Sequence, residues 1–338
     1  MKLVSYGSDA SVARLGVVVG EEVHDASRLL EGNVIRDVQE LLELGAADRL
    51  RDAVDSDRAI RNSVPVTEPT LLSPVLRPPN IRDHITFEEH ATRNFTRPLA
   101  PVWYRRPIYY YSNTSRLVGQ DGFVAMPATE RLDYELEIAA VIGREVADAT
   151  LDDAYSGIFG FTIFNDWSAR DLQPDEMAYG LGPSKGKDFA SSVGPVVVTA
   201  DELAPHLRDG VLHLECTVRV NGQVWAESNA KDQYHSWNTI IAHASQDSLL
   251  LPGDLLASGT VGGCSIGEAI RLGKPAHYLE PGDVVELEVE GIGVLRNTIR
   301  EPITSSPRLF RAHELPPMPQ PVDEPGPSSR DRGSRPMG

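Results

Sequence analysis

The sequence comprises 338 residues, of which 41% are hydrophobic and 24% are charged, and these values are typical of a globular chain that buries a sizeable core. The formal net charge of −17 argues against nucleic acid and anionic membrane surfaces as partners, because both require basic patches on the protein. The chain has 2 cysteines, a polar N-terminal segment and no apolar stretch long enough to cross a membrane, so a soluble cytoplasmic protein is predicted.

Residues 1–72 are predicted to form a small N-terminal α/β domain. Residues Leu15–Val19 have the composition of a strand, and the apolar positions that follow recur at a spacing of about 3.6 residues, as on one face of a helix. These positions are Val38, Leu41, Leu42, Leu44 and Leu50. The next segment, LSPVLRPPN at 72–80, contains three prolines and is predicted to be an extended linker.

Residues 73–313 are predicted to form the main domain, of the β-rich α+β class. Short apolar runs rich in Val, Ile, Phe and Thr are bounded there by turn residues, whereas helical patterns are few. Asn221-Gly222 predicts a hairpin turn, and residues 234–246 are the best candidate for a helix. Residues 314–338 are rich in Pro, Ser, Gly and charge, so a disordered tail is predicted, because little apolar surface is available to offset the entropy of ordering.

Glu135 and Glu137 lie two residues apart in LDYELEIAAVIG, a segment that otherwise has the composition of a strand. Because side chains alternate along a strand, both carboxylates are predicted on one face, which continues through Ala139 and Val141. Two carboxylates about 5 Å apart repel by roughly 3 kcal/mol at an effective dielectric constant of about 20, and a dication between them reverses the sign. The alternative is that one glutamate caps a neighbouring element and the other reaches solvent.

Asp166 follows directly on the apolar run of FGFTIFNDWSARDLQ and precedes a group of hydrogen-bonding residues. An acid at the end of a buried strand is a common position for a functional side chain on a rigid scaffold. The alternative is that Asp166 caps a helix that begins at Trp167.

Two further segments carry candidate site residues. In GLGPSKGKDFASSVGP, glycine and proline permit close backbone approach and Lys187 offers a positive charge. The order of residues there does not match GxxxxGK[ST], which excludes a phosphate-binding loop of that type. The other segment, IRDHITFEEHATRN, contains Asp83, His84 and His90. Two histidines among acids suggest a site, although a single histidine is more often structural.

In this order, the four segments resemble the fumarylacetoacetate hydrolase family. The motifs are ELE within LDYELE, FNDWSARDLQ, LGPSKGKDF, LLPGDLLASGT and YLEPGDVVELEVEGIGVLRN. The resemblance covers roughly residues 73–300 and implies a mixed β-sheet roll preceded by a smaller N-terminal domain, in a homodimer. It also implies a divalent cation, Mg²⁺ or Mn²⁺, with Ca²⁺ as a further candidate.

Carried across position by position, the resemblance implies metal ligands, a catalytic pair and substrate contacts. The implied metal ligands are Glu135, Glu137, Asp166 and Asp83. His90 is similar to the family's general base, and Glu268 is similar to the glutamate that orients it. The residues implied to contact the substrate or stabilise its developing charge are Lys187, Arg170, Gln173, Tyr110 and Thr260.

Together these residues imply a metal-dependent hydrolase that cleaves a carbon–carbon bond in a small anionic 1,3-dicarbonyl or acylpyruvate-type oxo acid. His90, oriented by Glu268, would take a proton from the attacking water. The same residues also suit decarboxylation of an oxo acid, or keto–enol and double-bond isomerisation, neither of which needs an activated water. The remaining alternative is a non-catalytic scaffold of the same fold, and the presence of the carboxylates and of His90 argues against it.

Overall fold

The computed structural model describes residues 1–56, 65, 68–94 and 98–303. The described chain is rich in strands and combines parallel and antiparallel pairs within one sheet, which confirms the predicted β-rich, mixed-sheet class. Met1–Ser305 form one compact unit. The predicted disordered tail, 314–338, lies outside the described residues.

The strands are numbered here in chain order over the described residues. They are β1 (Lys2–Tyr6), β2 (Arg14–Val19), β3 (Glu22–Asp25), β4 (Leu71–Leu72), β5 (Ile81–His84), β6 (Tyr109–Tyr111), β7 (Leu117–Val118), β8 (Phe123–Ala125), β9 (Leu132–Asp133), β10 (Leu136–Ile142), β11 (Val146–Ala147), β12 (Ile158–Asn165), β13 (Ser168–Ala169), β14 (Ser191–Thr199), β15 (Leu207–Arg208), β16 (Val211–Leu212), β17 (Glu215–Val220), β18 (Gln223–Asn229), β19 (Leu249–Leu250), β20 (Leu255–Ala257), β21 (Val284–Val289) and β22 (Gly293–Arg300).

The strands form one large sheet, one smaller sheet and three two-stranded ribbons. The large sheet has the order β3-β2-β1-β14-β12-β10-β20-β5-β6, with β4 paired to β1 and β7 paired to β14. The smaller sheet has the order β18-β17-β21-β22-β8, and the ribbons are β9–β13, β11–β19 and β15–β16. Asn221 and Gly222 adopt positive φ angles of 51° and 74° between β17 and β18, which confirms the predicted hairpin.

The helices are short. They are α1 (Ala26–Leu29), α2 (Val38–Glu43), α3 (Ala47–Asp55), α4 (Glu88–Asn94), α5 (Pro101–Arg105), α6 (Leu151–Ala154), α7 (Gln173–Ala178), α8 (Ala200–Leu203), α9 (Trp237–Ser245) and α10 (Ile266–Arg271). Helix α9 confirms the prediction for residues 234–246 and is capped by Ser236. The helical pattern at 38–50 forms two helices, because the chain turns at Gly45, where φ is +59°. Among the described residues, no helix has the length and apolar character needed to span a membrane.

The hydrophobic core lies on both faces of the large sheet. Along β10, Ile138 and Ala140 belong to one hydrophobic cluster, whereas Ala139 and Val141 belong to another. The first cluster contains α9 and the smaller sheet, and the second contains α1, α2 and α3. Residues 1–72 therefore share both a sheet and a core with the rest of the chain, since β1 pairs with β14. The domain boundary at 72 stays a prediction.

Candidate active site

Three strands of the large sheet, β5, β10 and β12, place acidic residues on one of its faces, and the acid of β12 directly follows the strand's last residue. Ile81 on β5, Ala139 on β10 and Phe164 on β12 are buried in the cluster that includes the N-terminal helices. Because side chains alternate along a strand, residues two positions from these point to the same face. Those residues are Asp83, Glu137 and Asp166.

Asp83, Glu137 and Asp166 form a compact group of buried carboxylates. Each offers an oxygen that lies within 4.8 Å of the corresponding oxygens of the other two. Asp83 Oδ2 and Asp166 Oδ1 have no hydrogen-bond partner among the described residues. Burial and the neighbouring carboxylates raise the pKa of both Asp83 and Glu137 well above the usual range, and burial also raises the pKa of Asp166.

This donor set fits a hard dication. Carboxylate oxygens are the ligands that Mg²⁺, Mn²⁺ and Ca²⁺ prefer. A buried carboxylate oxygen without a partner is unfavourable, and a cation would satisfy it and remove the repulsion between the acids. Asp83, Glu137 and Asp166 are therefore the residues that would hold a divalent metal.

Glu135 lies beside this group and has different partners. Its Oε1 accepts a hydrogen bond from Arg170 Nη2 at 2.6 Å and lies 3.2 Å from His90 Nε2, while its Oε2 accepts from Lys187 Nζ. Lys187 Nζ also donates to Asp166. Although burial alone would raise the pKa of Glu135, Arg170, Lys187 and His90 hold it well below the usual range. The role of Glu135 as a metal ligand stays a prediction.

His90 on α4 and Glu268 on α10 lie in contact, with His90 Nδ1 2.8 Å from Glu268 Oε2. Glu268 is held in turn by the backbone N–H of Gly263 at 2.9 Å and by the hydroxyl of Ser265 at 3.0 Å. Burial alone would lower the pKa of His90, but hydrogen bonds to Glu135 and Glu268 raise it to about 9. Both ring nitrogens of His90 therefore face carboxylates.

Tyr110 and Thr260 border the acidic group, and Gln173 accepts from Arg170 Nη1 at 3.4 Å. The Tyr110 hydroxyl donates to Asp166 Oδ2 at 2.8 Å, and the Thr260 hydroxyl donates to Glu137 Oε1 at 3.4 Å. The amide Nε2 of Gln173 is buried and has no hydrogen-bond partner among the described residues. It is therefore a donor that a bound molecule could satisfy.

A cavity of about 250 Å³ opens beside Lys187 and Tyr110. Its wall also includes Asn113 and Ser184. Lys187 is 7% exposed, whereas the side chain of Lys185 is 73% exposed and pairs with Asp188. Of these two lysines, Lys187 contacts the acidic group, and the cavity reaches two of that group's hydrogen-bond partners, Lys187 and Tyr110.

Residues 80–300 match the family model described as fumarylacetoacetate (FAA) hydrolase C-terminal. The chain belongs to the fumarylacetoacetate hydrolase family. This result confirms the resemblance found in the sequence motifs. It also makes the chain a member of an enzyme superfamily, which argues against the non-catalytic scaffold.

Similar proteins in this family differ in the reactions for which they are named. Oxaloacetate tautomerase Fahd2a, mitochondrial, from Rattus norvegicus is 32% identical over 241 residues, which cover 70% of this chain and 71% of the rat protein. The fumarylacetoacetate hydrolase from Exiguobacterium antarcticum has a TM-score of 0.69 at 25% identity, covering 89% of this chain and 99% of that one. A maleylpyruvate hydrolase from Sphingobium sp. SYK-6, in complex with manganese(II) and pyruvate, has a TM-score of 0.67 at 22% identity, with 89% and 100% covered.

The structure excludes the helix-capping alternative for Asp166, and it adds two residues, Gly259 and Asp133, to the site. Asp166 caps no helix at Trp167, because Ser168–Ala169 form β13. Gly259 donates its backbone N–H to Glu137 Oε2 at 3.0 Å, and buried Asp133 accepts from Arg170 Nε at 2.8 Å. Neither residue was predicted from the sequence. The alternation of acids at 133, 135 and 137 is the signal that could have identified Asp133.

Proposed function

We propose that this protein catalyses the keto–enol tautomerisation of a small anionic 2-oxo acid, with a divalent cation held by Asp83, Glu137 and Asp166. The observation that carries the proposal is the position of His90 between two carboxylates, with Nδ1 facing Glu268 and Nε2 facing Glu135. Glu268 and Glu135 thereby orient a ring that can take up and release a proton. Tautomerisation needs no attacking water, and the 32% identical rat relative that is named as an oxaloacetate tautomerase favours it over hydrolysis.

The residues around the acidic group suit a small anion with a carbonyl. Bound metal would supply Lewis acidity that polarises the substrate carbonyl. Lys187 and Arg170 place two positive charges beside Glu135 in a chain whose net charge is −17, so they reduce the repulsion that a substrate carboxylate would meet from the acidic residues. Gln173 Nε2 offers a buried donor. The cavity of about 250 Å³ admits a small acid, and it is smaller than pockets that bind drug-sized ligands.

Tautomerisation moves a proton between a carbon and an oxygen of the substrate. The enzyme therefore needs a group that releases a proton and takes one back, in a position fixed by its neighbours. His90 has that character, because hydrogen bonds from both sides orient its ring. The 32% identical rat relative is named as an oxaloacetate tautomerase, which supports a 2-oxo dicarboxylate as the substrate class.

Cleavage of a carbon–carbon bond in an acylpyruvate-type acid is the second candidate function. The contact between His90 and Glu268 at 2.8 Å favours it, because a histidine oriented by a carboxylate is the usual arrangement of a general base. Both reactions require His90 Nε2 to leave Glu135, in cleavage to face water and in tautomerisation to face the substrate. Decarboxylation of an oxo acid would use the same acidic group without that requirement.

The test compares the three reactions on one preparation. Protein stripped with chelator and reloaded with Mn²⁺ or Mg²⁺ is mixed with oxaloacetate, and the ultraviolet absorbance of the enol is followed while proton NMR detects pyruvate. An acylpyruvate is assayed in parallel for cleavage. We expect metal-dependent enol–keto interconversion to be the fastest of the three. If the acylpyruvate is cleaved faster than oxaloacetate is tautomerised, the proposal is wrong and carbon–carbon bond cleavage takes its place.

Variants of His90 sharpen the comparison. His90→Ala is expected to reduce tautomerisation by about 10²- to 10⁴-fold, the usual range for loss of a general acid or base. His206→Gln changes a histidine outside the site and is expected to have no effect on rate. If His90→Ala tautomerises oxaloacetate at the wild-type rate, His90 is not the proton-transfer group and the proposed mechanism is wrong.

A further inference from the structure

We propose that Asp133 is a positioning residue that couples the orientation of Arg170 to the placement of Glu268, and so fixes His90. The inference rests on the proposed function only in that His90 and Arg170 act in the reaction. Asp133 is 0% exposed and lies in neither the acidic group nor the cavity wall. Its contacts nevertheless reach both sides of the site.

The first set of contacts joins Asp133 to the beginning of α10. Asp133 Oδ1 accepts the backbone N–H of Ile266 at 2.7 Å, and Oδ2 accepts that of Gly267 at 2.9 Å. Glu268 is the next residue in the chain, and Ser265 both caps the helix and donates to Glu268 Oε2. Asp133 therefore holds the turn of backbone from which the Glu268 side chain projects.

The second set of contacts joins Asp133 to Arg170. Arg170 Nε donates to Asp133 Oδ2 at 2.8 Å, Nη2 donates to Glu135 Oε1 at 2.6 Å, and Nη1 donates to Gln173 Oε1 at 3.4 Å. A guanidinium is planar, so a carboxylate that holds Nε also sets the directions of the remaining donors. Asp133 thereby determines where Arg170 meets Glu135.

These two sets of contacts close a ring of interactions. Asp133 binds Arg170, Arg170 binds Glu135, and Glu135 Oε1 lies 3.2 Å from His90 Nε2. His90 Nδ1 then meets Glu268, whose helix returns to Asp133. Both nitrogens of His90 are therefore positioned by partners that depend on the same buried carboxylate.

The backbone around Asp133 is itself well fixed. Strand β9, which contains Asp133, pairs with β13, and Arg170 N donates to Arg131 O at 3.0 Å. Leu132 also forms a bridge to Leu279. A side chain on such a backbone holds its partners within a narrow range of geometry, which is what a positioning residue needs.

The primary variant is Asp133→Asn, which preserves shape but removes the charge and one acceptor oxygen. We expect kcat to fall by about 10- to 100-fold, as is typical when a group that orients a residue in direct contact with the metal or substrate is replaced. Affinity for Mn²⁺ should stay within about threefold of the wild type, because Asp83, Glu137 and Asp166 are unchanged. Asp133→Glu is the second variant if the first does not fold, because it keeps the charge while displacing the acceptors.

Asp37→Asn is the matched control. Asp37 is also a buried carboxylate that holds helical backbone, accepting from Glu40 N at 2.9 Å and Leu76 N at 2.8 Å, but its contacts do not reach the site. Both variants are expected to lower the melting temperature. Only the Asp133 variants should lower kcat and shift the ring ¹⁵N signals of His90 in NMR spectra, which a merely structural role would leave unchanged.

A double-mutant cycle with Glu268→Gln decides whether Asp133 acts through Glu268 and His90. If it does, Asp133→Asn should reduce kcat by less than about threefold in the Glu268→Gln background, because residues that act as a unit are not additive. Fully additive effects, or unchanged His90 signals in Asp133→Asn, would overturn the proposal. A wild-type protein without tautomerase activity would refute only the proposed function, because the NMR comparison requires no turnover.

Discussion

At the scale of single residues, Glu135 and Glu137 have opposite electrostatic surroundings although they are two positions apart. Glu135 meets Arg170, Lys187 and His90, which hold its pKa well below the usual range despite burial. Glu137 meets Asp166 and Asp83, and burial with Asp166 raises its pKa well above the usual range. An ionised Glu135 therefore stabilises the fold, whereas an ionised Glu137 destabilises it unless a cation is bound.

Neutral substitutions of these two glutamates should have opposite effects on the free energy of unfolding. Without metal at pH 7, Glu137→Gln is expected to raise the free energy of unfolding by about 1 kcal/mol, because it removes a carboxyl group that must either stay charged among repelling acids or take up a proton on folding. Glu135→Gln is expected to lower it by about 3–5 kcal/mol, the usual effect of breaking a buried ion pair. Denaturant titrations with chelator measure both. A rise for Glu135→Gln would show that the cations contribute no net stability there.

Asp166 provides the direct test of the metal site. Asp166→Ala is expected to leave a folded protein and to weaken Mn²⁺ binding by more than about 100-fold. Even the loss of a residue that only orients a metal ligand typically weakens metal binding by about 10- to 100-fold. Asp171→Ala is the control, because Asp171 lies in the same motif but accepts from Glu130 N and Thr129. Elemental analysis after dialysis measures occupancy. Full metal occupancy in Asp166→Ala would show that Asp166 is not a metal ligand.

At the scale of elements, the segment that follows β20 contacts both the acidic group and the connection between β5 and α4. Gly259 has a φ of +82° and donates its N–H to Glu137. A Cβ at this position would lie 2.5 Å from the carbonyl oxygen of His84 and 2.9 Å from Ile85 Cα. The connection between β5 and α4 therefore passes so close to Gly259 that a residue with a side chain does not fit at this position.

Replacement of Gly259 tests this close approach. Gly259→Ala combines a positive-φ cost of about 1–2 kcal/mol with a backbone clash, and we expect a total loss of about 3 kcal/mol or more of folding stability. Gly222→Ala is the matched control, because its φ is +74° and nothing lies within 4 Å of the added Cβ, so only the conformational cost applies. Urea denaturation of both variants gives the difference. Equal losses would show that the clash relaxes without cost.

At the scale of the whole molecule, residues 1–72 cover one face of the large sheet. Leu41 and Leu50 share a hydrophobic cluster with Val141, Phe164 and Leu255, and β1 is hydrogen-bonded to β14. Removing these residues would expose that apolar face to water. At roughly 25 cal/mol per Å² of apolar surface, such exposure is large compared with the net stability of a domain.

A fragment of residues 73–313 is therefore expected to be insoluble or unfolded, even though it contains every predicted site residue. Circular dichroism and sedimentation of the purified fragment measure this. The fragment supplemented with a separately produced 1–72 peptide is the control, since recovery of structure would show that the shared core is the cause. A folded, monodisperse 73–313 fragment would establish residues 1–72 as a separate domain.

The C-terminal residues 315–338 are expected to behave differently. Their composition predicts no packed role, so their removal should change neither turnover nor oligomeric state. Light scattering is expected to give the mass of a homodimer for both the full chain and the chain that ends at 314. Loss of activity, or a change of mass beyond that of the deleted residues, would show that the tail binds the rest of the protein.

The sequence by itself determined the features that depend on neighbouring residues. Alternation along strands placed Glu135, Glu137 and Ala139 on one face, and Asn-Gly chemistry determined the turn at Asn221. Motif order identified the family and brought Asp83 and Asp166 into the candidate site. Each of these features depends on short-range periodicity, on the turn preference of a residue pair or on the order of motifs along the chain, and all three can be recognised in the sequence without the fold.

Only the tertiary structure decided which charges meet. Asp133 lies 133 positions before Ile266, and no local pattern predicts that its carboxylate accepts that backbone N–H. The opposite pKa shifts of Glu135 and Glu137 likewise come from Arg170, Lys187 and Asp166, which are distant in sequence. Desolvation and Coulomb energy depend on every group packed around a charge. They are therefore properties of the folded arrangement and not of the order of residues.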